Sequence, residues 1–252
     1  MADPSALLGR RLYLCTADRP DLVPFLAACM RGGVDVVQLR DKVLDARPLL
    51  ARAAAAAAVC ADFGVPFILN DRPDLALACE GAGVHVGQDD TPPEVARRIL
   101  GPERIVGLST HAPAEWDAAA GVAAVDHLSA GLAAVDHLSA GPAAVDHLSA
   151  GLAAVDYLSA GPVSPTPTKP GRPGTGLEYV SYVAASAVGA QVPWFVTGGV
   201  TPETVPGMAA AGARRFVVVR YLTEAGGAGG AEAAARRLRA AIDSAVAGGV
   251  GG

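Results

Sequence analysis

Short runs of β-branched and other apolar residues alternate with longer segments rich in alanine and leucine, and this pattern occurs eight times along the chain. The predicted strands comprise residues 11–16, 34–39, 66–69, 84–86, 105–109, 156–159, 194–196 and 216–219. The predicted helices comprise residues 21–31, 46–63, 74–80, 93–100, 113–120, 177–188, 202–211 and 231–246, and Asp21 is predicted to cap the first of them. Strands that are apolar throughout are typical of parallel sheets buried on both faces, and eight βα units predict a closed (β/α)₈ TIM barrel of the α/β class.

An open, doubly wound sheet is the alternative architecture. Its dinucleotide-binding form carries G-x-G-x-x-G directly after the first strand, and the first predicted strand here lacks that motif, so the barrel is favoured. Apolar residues make up 51% of the 252 residues but aromatic residues only 5%, which means that alanine, valine and leucine must build the core. We expect one domain, residues 1–252, with a flexible glycine-rich joint at 226–230 and a flexible tail at 248–252.

Charge and cysteine content exclude several classes of partner and compartment. The net charge of −5 without a basic run argues against nucleic acid and anionic membrane surfaces. Four widely spaced cysteines indicate small core residues of a reduced protein. Residues 1–10 lack the pattern of a signal peptide, and the longest apolar run, residues 53–61, is too short to cross a bilayer. We therefore expect a soluble, cytoplasmic protein; the sequence leaves a homo-oligomer open.

Residues 121–160 consist of four near-copies of one decapeptide, GVAAVDHLSA, GLAAVDHLSA, GPAAVDHLSA and GLAAVDYLSA. This uniformity exceeds what repeat folds require and indicates recent tandem duplication. Only the fourth copy runs into the segment that follows, so it is predicted to form the sixth strand. Residues 121–150 are then a 30-residue insertion before that strand.

The first three copies carry His127, His137 and His147, which raises the question of a metal site. Ten residues advance a helix by about 280° beyond whole turns, so the three imidazoles would not share a helical face, although they would share a face of an extended chain. No second type of ligand recurs at useful spacing. We expect no metal site there, but short helical pieces broken at each glycine, or a loop.

The segment GPVSPTPTKPG at residues 161–171 follows the sixth predicted strand. Its four prolines fix φ and remove backbone donors, which leaves a stiff loop that presents Thr166, Thr168 and Lys169. Threonine hydroxyls and a lysine ammonium are good phosphate partners, so this loop predicts an anionic, phosphate-bearing ligand. The alternative is a surface linker rich in proline and threonine.

Other polar residues lie at predicted strand ends, where barrels bind their ligands. They are Gln38-Leu39-Arg40-Asp41-Lys42, Asn70-Asp71, His85 with Gln88-Asp89-Asp90, Ser109-Thr110-His111, Gly198-Gly199 and Val219-Arg220. Alternation sends Gln38, Arg40 and Lys42 to one side, although a solvated strand end is the alternative for the two cations. Asp71 and Asp90 are suited to Mg²⁺, although Asp89 or Asp90 could instead cap the next helix. Three cations, a carboxylate pair and a glycine-lined nest predict two phosphorylated ligands, one of them a diphosphate bound with metal.

Taken together, these motifs resemble the thiamine phosphate synthase family. The resemblance rests on QLRDK at 38–42, ILND at 68–71, HVGQDD at 85–90, GLSTH at 107–111, GPVSPTPTKPG at 161–171 and TGGV at 197–200. It implies a transferase that couples 4-amino-2-methyl-5-hydroxymethylpyrimidine diphosphate to 4-methyl-5-hydroxyethylthiazole phosphate, which gives thiamine phosphate and pyrophosphate. Its partners would be these small molecules.

The resemblance also implies roles for individual residues. The pyrimidine diphosphate would be held by Gln38, Leu39, Arg40, Asp41, Lys42, Asn70, Ser109 and Lys169, with His85 also in the substrate-binding set. Mg²⁺ would be held by Asp71 and Asp90. The thiazole phosphate would be held by Thr166, Pro167, Thr168, Gly199, Val219 and Arg220. The catalytic residues would be Arg40, Lys42, Lys169 and Ser109, and the cations would stabilise the departing pyrophosphate.

Two features depart from the family pattern. The insertion lies just before the strand that carries the proline-rich loop, and Arg220 stands where a small residue is found in some members. Two other functions are kept as alternatives, a thiazole tautomerase-like isomerase and a non-catalytic homologue that binds a phosphate ligand. The isomerase would not need a diphosphate clamp, so Asp71, Asp90 and Lys42 count against it.

Overall fold

Eight parallel strands close into a barrel in the structure, a computed structural model that describes residues 7–123, 154–165 and 173–248. The strands are β1 (Leu12–Thr16), β2 (Val36–Leu39), β3 (Phe67–Asn70), β4 (Ala82–Val86), β5 (Val106–Thr110), β6 (Tyr157–Ala160), β7 (Trp194–Thr197) and β8 (Phe216–Val218). Each strand pairs with the next in the chain, and β1 also pairs with β8. The predicted TIM barrel is therefore confirmed.

Helices follow the strands and surround the barrel. They are α1 (Leu22–Arg31), α2 (Ala46–Asp62), α3 (Pro73–Ala78), α4 (Pro93–Leu100), α5 (Pro113–Ala123), α6 (Gly176–Ala185), α7 (Ala187–Gln191), α8 (Val205–Ala210), α9 (Arg220–Thr223) and α10 (Gly227–Gly248). No helix within the described residues combines the length and the apolar character needed to cross a bilayer.

Strand side chains divide between two apolar layers, because successive residues point to opposite faces. Leu12 and Leu14 belong to the layer packed under the helices, whereas Tyr13 between them faces the barrel interior. The interior layer places Tyr13 and Tyr157 edge-on to Phe195, with ring centroids 5.3 and 5.7 Å apart. Three of the chain's twelve phenylalanine, tryptophan and tyrosine residues thus pack together inside the barrel.

The connection into β6 contains a buried ion pair. Asp156 Oδ2 accepts hydrogen bonds from Arg97 Nη2 at 2.6 Å and from the backbone N–H of Val106 at 2.7 Å. The arginine and aspartate side chains are only 8% and 11% exposed. Arg97 also donates to the carbonyls of Gly101 and Arg104, so one guanidinium ties α4 and the loop after it to the start of β6.

Three local predictions are wrong. The helix predicted over residues 177–188 is interrupted at Ser186, whose hydroxyl donates to Val183 O and accepts from Gly189 N, ending α6 and capping α7. Asp21 occupies the N-cap position of α1 without a capping bond, because its carboxylate binds Arg19 instead. The predicted joint at residues 226–230 is helical from Gly227 onward.

Glycine at position 230 has a packing role in α10. A Cβ there would lie 1.9 Å from the carbonyl oxygen of Ala225, so only glycine lets the helix pack this closely against the preceding turn. The sequence pattern predicted a flexible joint, but this glycine allows the tight turn at the start of the helix.

The fourth decapeptide provides β6, as predicted. Helix α5 ends at Ala123, and the remaining predicted insertion, residues 124–150, lies outside the described residues, as do residues 249–252 of the predicted tail.

We predict that deleting residues 121–150 leaves activity and stability intact. After this deletion, residues 151–156 would connect Ala120 to β6, a length within the usual two to six residues of such connections, and Gly151-Leu152-Ala153 would replace Gly121-Val122-Ala123. Urea denaturation and steady-state kinetics of the deleted and full-length chains check this. Loss of soluble protein, or of activity, on deletion would show that the barrel depends on the duplicated segment.

Candidate functional site

A pocket opens at the carboxyl ends of the barrel strands, with about 950 Å³ of empty space including its mouth. Every strand contributes at least one residue to its lining. Its strand residues are Tyr13, Cys15, Gln38, Asn70, His85, Ser109, Ser159, Thr197 and Val217. Barrel enzymes place their active sites at this end. The pocket therefore lies where the sequence predicted a ligand site.

The polar floor of the pocket includes four predicted site residues. Gln38, Asn70, His85 and Ser109 are each no more than 7% exposed, and all line the pocket. His85 Nε2 lies 2.8 Å from Ser109 Oγ, and Ser159 Oγ donates to the same Ser109 oxygen at 3.4 Å. Neighbouring strands thus bring His85, Ser109 and Ser159 into one hydrogen-bonded group.

Two of the predicted cations follow β2 at the carboxyl end of the barrel, which we call the rim. Arg40 follows β2, is partly exposed, and lines the pocket. Its backbone N–H donates to Thr16 O at 2.8 Å, which continues the β1–β2 ladder by one residue. Lys42 Nζ lies 2.8 Å from Asp71 Oδ2, and the lysine side chain is 53% exposed. These positions give the rim positive charge next to a carboxylate pair.

Asp71 and Asp90 form that carboxylate pair. Burial raises the pKa of Asp71, Lys42 lowers it, and the Asp90 carboxylate beside it raises it, with a net upward shift. Asp71 also has φ = 62°, a left-handed conformation that non-glycine residues adopt mainly where the surroundings enforce it, often at functional sites. Both electrostatic cost and backbone strain are concentrated at this residue.

The alternative role of Asp90 as a helix cap is wrong. Its Oδ2 accepts from the N–H of Gly87 at 2.9 Å and closes the turn after β4, while Pro92 occupies the N-cap position of α4. The Asp90 carboxylate also lies beside Asp71. The turn therefore fixes Asp90 against the acid on the neighbouring strand.

The carboxylate pair fits a magnesium ion. Mg²⁺ is usually held by one or two carboxylates, with phosphate oxygens and water completing its shell. The described residues contain no cluster of three or more His, Cys, Asp or Glu side chains suited to a metal. Two carboxylates alone do not form a closed protein site for a metal. Asp71 and Asp90 instead match the one or two protein ligands that Mg²⁺ has when phosphate oxygens and water complete its shell.

A glycine-lined wall lies on the β7 side of the pocket. Gly198 and Gly199 both have positive φ, at 96° and 77°. A Cβ on Gly198 would lie 2.6 Å from both Pro162 Cβ and Val163 N, so glycine allows the loop after β6 to approach the loop after β7. Val219 and Arg220 complete this side of the lining. The arrangement suits the close approach of a ligand to the backbone.

Two predicted site residues are placed differently, and one predicted group lies outside the described residues. The Leu39 side chain is buried in the apolar layer beneath the helices and does not line the pocket. The Asp41 carboxylate accepts from the N–H groups of Val43 and Leu44, which shapes the loop after β2. Thr166, Pro167, Thr168 and Lys169 lie outside the described residues. Their roles as ligand contacts stay predictions.

Sequence reasoning missed Tyr13 and Tyr157. Tyr13 lines the pocket, and Tyr157 lies just beneath it, with its hydroxyl 2.9 Å from His85 Nδ1. A signal was present for Tyr157, because it replaces the histidine found at the same place in the first three decapeptides. Tyr13 gave no such signal, since a tyrosine in an apolar strand is ordinary core.

Comparison with known proteins shows which family the chain belongs to. The sequence profile of the family described as thiamine monophosphate synthase (TMP-TENI) matches residues 12–135 and 138–222. Thiamine-phosphate synthase of Thermobifida fusca (strain YX) is 43% identical over 223 residues, which cover 87% of each chain. The protein of that name from Mycobacterium bovis (strain BCG / Pasteur 1173P2) is 41% identical over 253 residues, 96% of this chain and 98% of its own.

A solved structure shares the fold. Thiamine phosphate pyrophosphorylase from Pyrococcus furiosus superposes with a TM-score of 0.69 at 22% identity, covering 96% of this chain and 98% of its own. With the profile match over most of the chain, and with about 40% identity to relatives of similar length, this chain belongs to the thiamine monophosphate synthase family of transferases.

Proposed function

We propose that this chain joins 4-amino-2-methyl-5-hydroxymethylpyrimidine diphosphate to 4-methyl-5-hydroxyethylthiazole phosphate, forming thiamine phosphate and pyrophosphate in a Mg²⁺-dependent reaction. The observation that carries the proposal is the Asp71–Asp90 carboxylate pair beside Lys42, at the same carboxyl end of the barrel as the pocket floored by Gln38, Asn70, His85 and Ser109. The two polar regions match the two ends of a pyrimidine diphosphate. Thiamine-phosphate synthase activity is what the named relatives share.

The chemistry asks the protein to stabilise a leaving group. The bond between the pyrimidine methylene carbon and the diphosphate oxygen breaks, and its electron pair leaves with pyrophosphate. The thiazole nitrogen then uses its lone pair to form the new carbon–nitrogen bond. Bound at Asp71 and Asp90, Mg²⁺ would supply a hard Lewis acid for the phosphate oxygens. Arg40, Lys42 and Lys169 would add preorganised positive charge.

The distribution of lysine supports this assignment. The chain has only two lysines, Lys42 and Lys169, among its 252 residues. One lies in the motif after β2, and the other in the proline-rich loop predicted to bind phosphate. In a chain that otherwise uses arginine for its cations, both lysines fall in segments proposed to contact the diphosphate. A compact ammonium suits phosphate as a mobile point charge.

The test of this function is a direct assay of the purified full-length chain with Mg²⁺ and both substrates. Thiamine phosphate, followed after oxidation to its fluorescent thiochrome form, is expected to appear and to be lost on adding EDTA. Lys169→Ala is expected to lower the rate by about 10²-fold or more, the scale seen when a charge-stabilising group is removed. Arg236→Ala, which changes an exposed arginine on α10, is the matched control.

Either of two outcomes would contradict the proposal. A folded chain that forms no thiamine phosphate would refute the function, and the 121–150 deletion would show whether the insertion is responsible. Full activity in EDTA would refute the metal requirement alone.

A further inference from the structure

A chain of buried hydrogen bonds crosses the barrel interior beneath the pocket. Gln38 Nε2 donates to Tyr13 OH at 2.7 Å, and the hydroxyls of Tyr13 and Tyr157 lie 2.9 Å apart. Tyr157 OH lies 2.9 Å from His85 Nδ1, and His85 Nε2 lies 2.8 Å from Ser109 Oγ. Residues from β1, β2, β4, β5 and β6 are therefore linked into one path that ends at the pocket floor.

The donors along this path have a definite direction. Cys15 Sγ donates to Gln38 Oε1 at 3.2 Å, which leaves Nε2, a group that only donates, facing Tyr13. Burial raises the pKa of both Tyr13 and Tyr157, so both phenols keep their protons. The Tyr13 oxygen accepts from Gln38 Nε2, which cannot accept in return, so the bond that satisfies the buried Tyr13 proton is the one to the Tyr157 oxygen. The Tyr157 proton in turn goes to His85 Nδ1.

This direction determines the tautomer of His85 and then the hydrogen-bonding role of Ser109. Because Nδ1 of His85 accepts, the ring proton of the neutral imidazole is on Nε2, which donates to Ser109 Oγ. Ser109 Oγ accepts also from Ser159 Oγ at 3.4 Å. The Ser109 oxygen therefore accepts from both His85 and Ser159, and the Ser109 hydroxyl contributes its own proton to a further hydrogen bond.

Packing holds the tyrosine in place for this task. The His85 and Tyr157 rings are stacked, with centroids 5.4 Å apart and an interplanar angle of 28°. Both rings lie over Gly107 of β5, where a Cβ would come within 2.2 Å of the phenol ring and 2.6 Å of His85 Nδ1. The close fit restricts both rings to the arrangement in which the hydroxyl meets Nδ1.

We propose that Tyr157 is a positioning residue that holds His85 as the Nε2–H tautomer, so that Ser109 presents its hydroxyl proton to a hydrogen-bond acceptor of the substrate. The identity of that substrate, a pyrimidine with acceptor ring nitrogens, rests on the proposed function. The role of Tyr157 in setting the tautomer does not.

The repeat provides a natural comparison for this position. His127, His137 and His147 stand where the fourth copy has Tyr157. Tyr157→His would make the fourth copy identical to the second, GLAAVDHLSA. An imidazole is shorter than a phenol and lacks a hydroxyl at the point where Tyr13 and His85 are bridged. The copy that forms β6 is the one that carries the bridging group.

The first test is ¹⁵N NMR of the imidazoles in the full-length chain, with the His85 signals assigned by their loss in His85→Asn. The wild type is expected to show His85 as Nε2–H, and Tyr157→Phe, which keeps the ring, is expected to show a mixture of tautomers. Nδ1–H in the wild type, or an unchanged tautomer in Tyr157→Phe, would overturn the proposal. This readout needs no substrate.

The second test is kinetic and separates this proposal from the proposed function. Tyr157→Phe is expected to raise KM for the pyrimidine diphosphate about five- to tenfold, the scale of one buried hydrogen bond, with KM for the thiazole phosphate unchanged. Tyr179→Phe is the matched control, since its buried hydroxyl donates to Thr110 Oγ1 at 2.8 Å and not to this path. Equal effects of the two variants would mean a structural role only. If the wild type makes no thiamine phosphate, the proposed function fails, and NMR still decides the tautomer.

Discussion

Asp156→Ala is expected to lower the free energy of unfolding by about 3–5 kcal/mol, the cost typical of removing one partner from a buried ion pair. The change leaves the Arg97 guanidinium buried without its carboxylate, and it also removes the acceptor of the Val106 N–H at the start of β5. Since α4, β5 and the entry to β6 meet at this aspartate, we expect loss of stability without loss of the pocket chemistry in the molecules that remain folded.

Urea denaturation followed by circular dichroism measures this effect through the shift in midpoint at an unchanged m-value. Asp74→Ala is the matched control, because Asp74 pairs with Arg72 at an exposed site and should cost no more than about 1 kcal/mol. If both variants lose the same small amount, the buried pair does not stabilise the barrel in the way its burial indicates.

Asp71→Asn is expected to reduce thiamine phosphate formation by at least about 10²-fold while leaving the fold intact. Asparagine tolerates the left-handed backbone of position 71 better than other residues that carry a side chain, so the substitution removes charge without adding strain. It also relieves the repulsion from Asp90. We therefore expect thermal stability equal to or slightly above that of the wild type.

Kinetics at several Mg²⁺ concentrations measure the effect on activity. Calorimetric titration of Mg²⁺ with inorganic pyrophosphate present measures the effect on Mg²⁺ affinity. Asp74→Asn is the matched control, because it makes the same chemical change at an exposed position of α3. Wild-type activity in Asp71→Asn, or unchanged Mg²⁺ affinity, would remove Asp71 from the metal site.

The barrel was predictable because its signal is local and repeated. Apolar strands followed by amphipathic or alanine-rich helices recur eight times, and one missed boundary changes little in such a count. The missed details have nonlocal or competing causes. Asp21 looked like a cap, but the neighbouring Arg19 competes successfully for its carboxylate. The break at Ser186 depends on a hydroxyl that bonds backward to Val183 and forward to Gly189.

The site was predictable to the extent that its residues come in contiguous motifs at strand ends. Gln38, Arg40, Asn70, His85 and Ser109 line one pocket, as the chain order and barrel geometry require. The tyrosine path was not predictable, because it depends on which residue of β1 faces which residue of β6 across the barrel. That relation is set by the register of all the strands together, and single-strand patterns do not contain it.

The dependence of β6 on the tyrosine-bearing copy has an evolutionary consequence. Duplications and losses of whole decapeptides preserve the reading frame, and recombination among near-identical units makes them frequent. The last unit remains joined to the proline-rich loop in every such product, and it alone carries the tyrosine that fits over Gly107. Selection on the enzyme would therefore act on that one unit. The number of units before it would be free to drift between strains.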